Sequence, residues 1–291
     1  MNRPVAAGVN GAPAGLAAAE WAAREALLRD APLWLVHAWE WQPYAHAGPE
    51  GPDAARRWSQ GVPQEVTHRL RRRHPGLEIT AERVIGPPPE VLCRAAADAA
   101  LLVIGTAGVG GTRGFLLGSV GMATVAHATR PVVLVRVDDH GMPSAPATSD
   151  GPGAVVLGLD LSRPGAEVIG FAFDAAALRS APLLVVHGWT PLPQHRYGGG
   201  PGFGGQAPAG ERAVVDETLR PWRERYPTVE VTAQALVGRP AQHLLDASAH
   251  AALLVVGRRS RTPWPHMPHI GHVAHAVLHH CPAPVAVVPH P

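Results

Sequence analysis

The 291-residue chain is 46% apolar and 16% charged, with a formal net charge of +2. That balance describes a folded globular protein with room for two ordinary domains, and it excludes a disordered chain or a basic polyanion binder. All 25 basic residues are arginine, so no Walker-type lysine and no Schiff-base lysine is available.

Pro4 to Val9 predicts a short apolar strand, and Pro13 to Arg29 an alanine-rich helix with an apolar helical period. Pro32 to Ala38 predicts a second strand, followed by a loop from Glu40 to about Pro52. Trp34, Trp39 and Trp41 gather around this strand, where packing accounts for them. A polar helix is predicted from about Asp53 to Arg73. It ends in Arg71, Arg72 and Arg73, which suit the helix dipole and call for no nucleic acid. Leu77 to Val84 alternates as a strand, and Pro88 to Ala97 opens with the proline that favours a helix start. Ala100 to Ile104 and Val132 to Val137 are continuous apolar runs of the kind buried on both faces of a sheet. Between them Val120 to Ala128 keeps a helical apolar period.

The plan then repeats. Ala31-Pro-Leu-Trp-Leu-Val-His-Ala-Trp39 returns as Ala181-Pro-Leu-Leu-Val-Val-His-Gly-Trp189, with six of nine positions identical. Gly86 to Gly105 returns as Gly238 to Gly257 with 11 of 20 identical, and Pro131-Val-Val-Leu-Val as Pro284-Val-Ala-Val-Val. Five strands alternating with four helices, twice over, predict an α/β protein of two tandem doubly wound domains, each a five-stranded parallel sheet flanked by helices. Asp138 to Gly153 is rich in Pro, Ser, Ala and Asp. It reads as the connection, giving domains at 1–140 and 154–291 and a linker at 141–153. Gln194 to Gly210, with its run of glycines, reads as a surface insertion after the second strand of repeat two.

Gly105-Thr-Ala-Gly108-Val-Gly-Gly-Thr-Arg-Gly-Phe-Leu-Leu-Gly118-Ser119 joins a strand to a helix. Glycine-rich loops of this kind turn backbone N–H groups toward an anion at a helix N-terminus. In an open parallel sheet the matching cleft lies beyond the carboxyl ends of the strands, where the strand order reverses. Gly8-Val9-Asn10, Ala38 and the loop after the fourth strand meet that description, and a nucleotide is the economical ligand.

Gly105-x2-Gly108-x9-Gly118-Ser119 after a fourth strand resembles the nucleotide-binding signature of the universal stress protein family. Pro4-Val-Ala-Ala-Gly-Val-Asn-Gly, Leu35-Val-His-Ala-Trp39 and Pro131-Val-Val-Leu-Val are similar to its first, second and fifth strands. The resemblance covers both repeats. It implies an adenine nucleotide alpha hydrolase-like fold and ATP, with or without magnesium, as the ligand of many members. It also implies pairing of two domains, within this chain or in a homodimer. Carried over, it makes Gly105, Gly108, Gly118 and Ser119 phosphate and ribose contacts, continued by Val120 and Gly121. Gly8, Val9 and Ala38 would edge the base pocket, with Ile104 behind it. Asn10 stands where the family usually has Asp, whereas repeat two keeps Asp160.

The second loop departs further, with Ser260 for the second glycine, His272 for the serine, and Pro263, Pro265 and Pro268 removing backbone donors. A phosphate cradle of the first kind is not expected there. Arg258, Arg259 and Arg261 read as solvated surface arginines, with an anion clamp as the alternative. His266, His269, His272, His275, His279 and His280 read as a surface cluster rather than a metal site. His37 and His187 recur at one place in both repeats, which points to a shared structural role. Cys93 and Cys281 read as reduced packing residues.

No catalytic motif appears, and no apolar run approaches the roughly 20 residues that span a bilayer. The expectation is a cytoplasmic stress or regulatory protein that binds ATP in its first domain without dedicated catalysis. A nucleotide-free scaffold acting through protein contacts and a slow ATPase are the alternatives. Neither a membrane nor a nucleic acid is expected as a partner.

Overall fold

A strand covered on both faces must be apolar along its whole length, and parallel neighbours need a crossover between them. The computed structural model describes residues 2–40, 51–107, 117–137, 153–189, 209–260 and 270–291. Its first compact unit spans Met1–Ser144. There β1 (Val5–Gly8), α1 (Pro13–Leu28), β2 (Leu33–Trp39), α2 (Gly51–Arg73) and β3 (Ile79–Ile85) are followed by α3 (Pro88–Asp98), β4 (Leu101–Ala107), α4 (Ser119–His127) and β5 (Val132–Val137). The strands run parallel in the order β3-β2-β1-β4-β5. The order reverses between β1 and β4, which pair through Val5 with Leu101 and Ala7 with Val103. Helices α1 and α2 cover one face, α3 and α4 the other.

The second unit spans Ala145–Pro291 and repeats the plan. It holds β6 (Val155–Gly158), α5 (Ala166–Arg179), β7 (Leu183–Trp189), α6 (Ala209–Arg225), β8 (Val231–Val237), α7 (Pro240–Ala247), β9 (Leu253–Arg259), α8 (His272–His280) and β10 (Val285–His290). Its parallel order is β10-β9-β6-β7-β8, with the reversal between β6 and β9. Even the turns recur. Gly86 and Gly238 take φ values of +144° and +137°, open only to glycine without strain, and donate their N–H groups to the carbonyls of Trp39 and Trp189 at 3.0 Å each.

Small side chains decide how closely α1 approaches the sheet. Ala18, Ala19, Ala22, Ala23 and Ala26 are fully buried along it, and their single methyl groups let the helix lie close to the strands. In its last turns Glu25, 1% exposed, is held by Arg29 Nε at 2.7 Å. Repeat two reaches the same layer with larger groups. Gly170 of α5 leaves room for the Trp222 indole, which stacks with Phe173 and Tyr226.

One boundary differs from the sequence expectation in a way that matters for the site. β4 continues past Ile104 to Ala107, with Gly105 opposite Val135 and Thr106 opposite Arg136. Gly105 is therefore a strand residue and does not begin the loop. Gly108 lies outside the described residues, as do Trp41, most of the 138–153 connection, most of the 194–210 insertion, Arg261, the three prolines of the second loop, His266 and His269.

Candidate functional site

The carboxyl ends of β1 and β4 and the start of α4 meet at the strand-order reversal of the first unit. Val9 closes β1 by donating its N–H to the Val36 carbonyl at 2.9 Å, and its own carbonyl accepts from Nδ1–H of His37 at 2.8 Å. His37 is 3% exposed. Burial, then the nearby Arg83 charge, hold its pKa below the usual histidine value against the opposing pull of the Val9 hydrogen bond. A neutral ring with its proton on Nδ1 satisfies that bond. The repeat is faithful, since His187 Nδ1 lies 3.0 Å from the Leu159 carbonyl. These histidines fasten the second strand to the end of the first.

Asn10 has a local task. Its Oδ1 accepts the Ala12 N–H at 3.1 Å, turning the chain from β1 into α1. Asp160 makes the same turn, accepting from Ser162 N–H at 3.0 Å and Ser162 O–H at 2.6 Å. The turn needs one side-chain oxygen, which Asn and Asp both supply.

The glycines separate by what a Cβ would meet. On Gly105 it would collide with the carbonyl of Ala14 in the first turn of α1, so this glycine admits the helix to the sheet. On Gly8 it would come within 2.9 Å of Leu92 and 3.2 Å of Ile104, and on Gly121 within 2.5 Å of Leu117. On Gly118 it would meet nothing within 4 Å among the described residues. Gly118 is the N-cap of α4 and offers no side-chain cap. The helix's first intrahelical bond runs from Met122 N–H to the Gly118 carbonyl at 3.0 Å, and Ser119 and Val120 are exposed. Three packing requirements and one open face are thus combined in a single glycine pattern. Ala38 packs against the Val36, Val91 and Ala95 cluster, and Ile104 is 6% exposed.

Repeat two shows how such positions enclose space. Gly158, Leu159, Asp160, Gly188, Val256, Gly257, Gly271, His272, Val273 and Ala274 line one cavity of about 440 Å³. By the repeat alignment these are the counterparts of every first-repeat candidate except Gly108. A cavity of this size accommodates a small-molecule ligand. Arg163, His187, Arg259 and His290 also line it, and the sequence pattern singled out neither Arg163 nor His290. One expectation for the second loop needs correcting: Arg258 is 6% exposed, opposite Pro289 in the sheet, and is not a solvated arginine. His272 is exposed, as expected, and also lines the cavity. His275 and His279 sit with ring centroids 4.5 Å apart, and among the described residues no three His, Cys, Asp or Glu converge as a metal site. Cys93 and Cys281 form no disulfide, and Cys281 is buried with its Sγ 3.2 Å from the Ser248 hydroxyl.

No described helix is long and apolar enough to cross a membrane. Comparison with known proteins gives a consistent placement. The Mycobacterium tuberculosis (strain H37Rv) protein named Universal stress protein Rv2623 is 31% identical over 287 residues, covering 96% of this chain and 94% of its own. Universal stress protein Rv2005c of the same strain is 30% identical over 298 residues, covering 97% and 96%. The crystal structure of a universal stress protein from Archaeoglobus fulgidus shares the fold, with a TM-score of 0.71 at 14% identity over 99% of both chains. The family model described as Universal stress protein family matches residues 1–136 and again 153–289. The chain belongs to the universal stress protein family, as a member with two tandem domains.

Proposed function

We propose that the first repeat binds ATP at the carboxyl edge of its sheet, and that occupancy stabilises one conformation of a regulatory or stress-responsive protein without dedicated catalysis. The observation that carries this reading is the open face of Gly118. It is the one candidate glycine among the described residues whose missing Cβ answers to no packing neighbour. It stands at a helix N-terminus, whose first N–H groups lack intrahelical acceptors, beside the strand-order reversal. Bound phosphate would be held there by the α4 N-terminus and Ser119. The base would lie against Val9, Ala38 and Ile104, with Gly108 closing the loop. Magnesium, where it accompanies the nucleotide, would neutralise phosphate charge that no lysine of this chain can meet. Intramolecular pairing of the repeats and a cytoplasmic setting belong to the same reading.

Titration calorimetry of the full chain with ATP and magnesium tests it. Saturable binding is expected, and Gly118→Val, which fills the open face, should abolish binding at the first repeat while leaving the urea midpoint unchanged. Absence of saturable binding, or a Gly118→Val chain that binds as wild type does, overturns the reading.

A further inference from the structure

We propose that His275 and His279 on α8 form a two-histidine chelate for a late first-row divalent metal ion of the Cu(II) and Ni(II) class. Neither residue lines the cavity at the sheet edge, so the proposal is independent of any ligand bound there or in the first repeat.

Helix α8 turns one side inward, where Ala274, Val277 and Leu278 are buried. His275 and His279 lie on the other side, His275 exposed and His279 half-buried. Residues four apart are neighbours on a helix surface, so regular backbone geometry sets the spacing of the two rings and no loop is needed to hold them. Only repeat two carries histidine on this stripe. The counterparts in α4 are Met122 and Ala126, which offer no nitrogen ligand.

The two ring centroids lie 4.5 Å apart, with their planes at 42°. Metal–nitrogen bonds of about 2.0–2.1 Å place two imidazole centroids about 4.5 Å apart when the bonds meet at a right angle, and about 5.2 Å apart at the tetrahedral angle. The observed separation matches the right angle. Right-angled ligand pairs belong to square-planar and octahedral coordination, which suits Cu(II) and Ni(II) better than tetrahedral zinc. Neutral imidazole is a good ligand for both ions.

Among the described residues no third His, Cys, Asp or Glu converges with this pair, so water fills the other positions of the ion. Two protein nitrogens make an exchangeable site that follows the metal level outside the molecule. An ion held across one turn also binds the folded helix better than the unfolded chain, so occupancy stabilises α8.

Calorimetric titration of the full chain with NiCl2 in a non-chelating buffer tests the proposal. The tightest class of sites is expected at one equivalent per chain, and saturating nickel should raise the urea midpoint. His275→Gln and His279→Gln should each weaken that class at least tenfold and remove the metal-dependent rise. His275 is exposed, so its replacement should leave the metal-free midpoint close to wild type. His280 follows directly in the chain but stands about 100° further round the helix. His280→Gln should therefore change the affinity less than threefold. ZnCl2 should bind at least threefold more weakly than NiCl2, and electron paramagnetic resonance of the one-equivalent Cu(II) complex should report two imidazole nitrogens. Absence of the one-equivalent class, or its survival in His275→Gln, would overturn the proposal. So would a loss in His280→Gln as large as in His279→Gln, zinc binding as tightly as nickel, or a Cu(II) spectrum with a single imidazole.

Discussion

The Cα of Gly105 faces the carbonyl of Ala14 so closely that no side-chain atom fits between them. The contact joins β4 to the first turn of α1 and sets the helix–sheet distance beside the strand-order reversal. Both partners are backbone, held by strand pairing on one side and helix geometry on the other, so neither yields easily. Gly105→Ala is therefore expected to destabilise the first unit by about 1–3 kcal/mol, the usual cost of overpacking, or more. Gly118→Ala, with open space before it, should stay within about 0.5 kcal/mol of wild type. Urea unfolding of the two variants distinguishes a structural glycine from a ligand-facing one.

His37 gives the first unit a pH dependence with a definite sign. Its folded-state pKa lies below the usual 6.5, chiefly through burial, so the unfolded chain takes up a proton more readily than the folded one. Stability from this residue is intact above about pH 6.5 and falls as the pH drops through the histidine range. His37→Gln should lose stability at pH 8 by removing the bond to Val9, and should show a shallower decline toward pH 5. Urea midpoints measured across that range check it. A parallel decline in both proteins would show that His37 does not carry the effect.

Much of this architecture was legible in the chain because its strands are buried on both faces. Leu101 to Ile104 and Val132 to Val137 leave no alternation to misread, and the duplicated Ala31–Trp39 and Ala181–Trp189 segments fix where the plan restarts. The candidate positions were read from letters alone, and what each of them meets in the fold was not legible there. Glycine at 105 and glycine at 118 look alike as letters, yet one meets a helix backbone and the other meets open space. That difference depends on where α1 sits, which no local pattern encodes. Arg163 and His290 escaped notice for the same reason. They belong to a turn and a strand end that only the folded second unit brings to one cavity.

Asn10 tests whether a missing charge matters. The turn it makes uses one oxygen, as the Asp160 turn does. Asn10→Asp should therefore leave the urea midpoint unchanged. Asn10→Ala should cost about 1 kcal/mol, the typical net worth of one such hydrogen bond. A clear loss of stability in Asn10→Asp would mean that the amide nitrogen, rather than Oδ1, holds the turn.

Gly257 offers the sharpest contrast with Gly105, because the same letter at the same strand position faces a side chain instead of a backbone. Its nearest neighbours are His290 Nε2 at 2.9 Å and Cδ2 at 3.0 Å, with Val168 Cγ2 at 3.2 Å. An imidazole at a strand end rotates more easily than a helix turn shifts. Gly257→Ala is therefore expected to cost less than Gly105→Ala. Replacing the ring should remove most of that cost, so Gly257→Ala combined with His290→Ala should be nearly as stable as His290→Ala alone. The coupling in a double-mutant cycle would then account for most of the single-variant loss, as contacting residues require. Additive losses would instead place the strain on Val168.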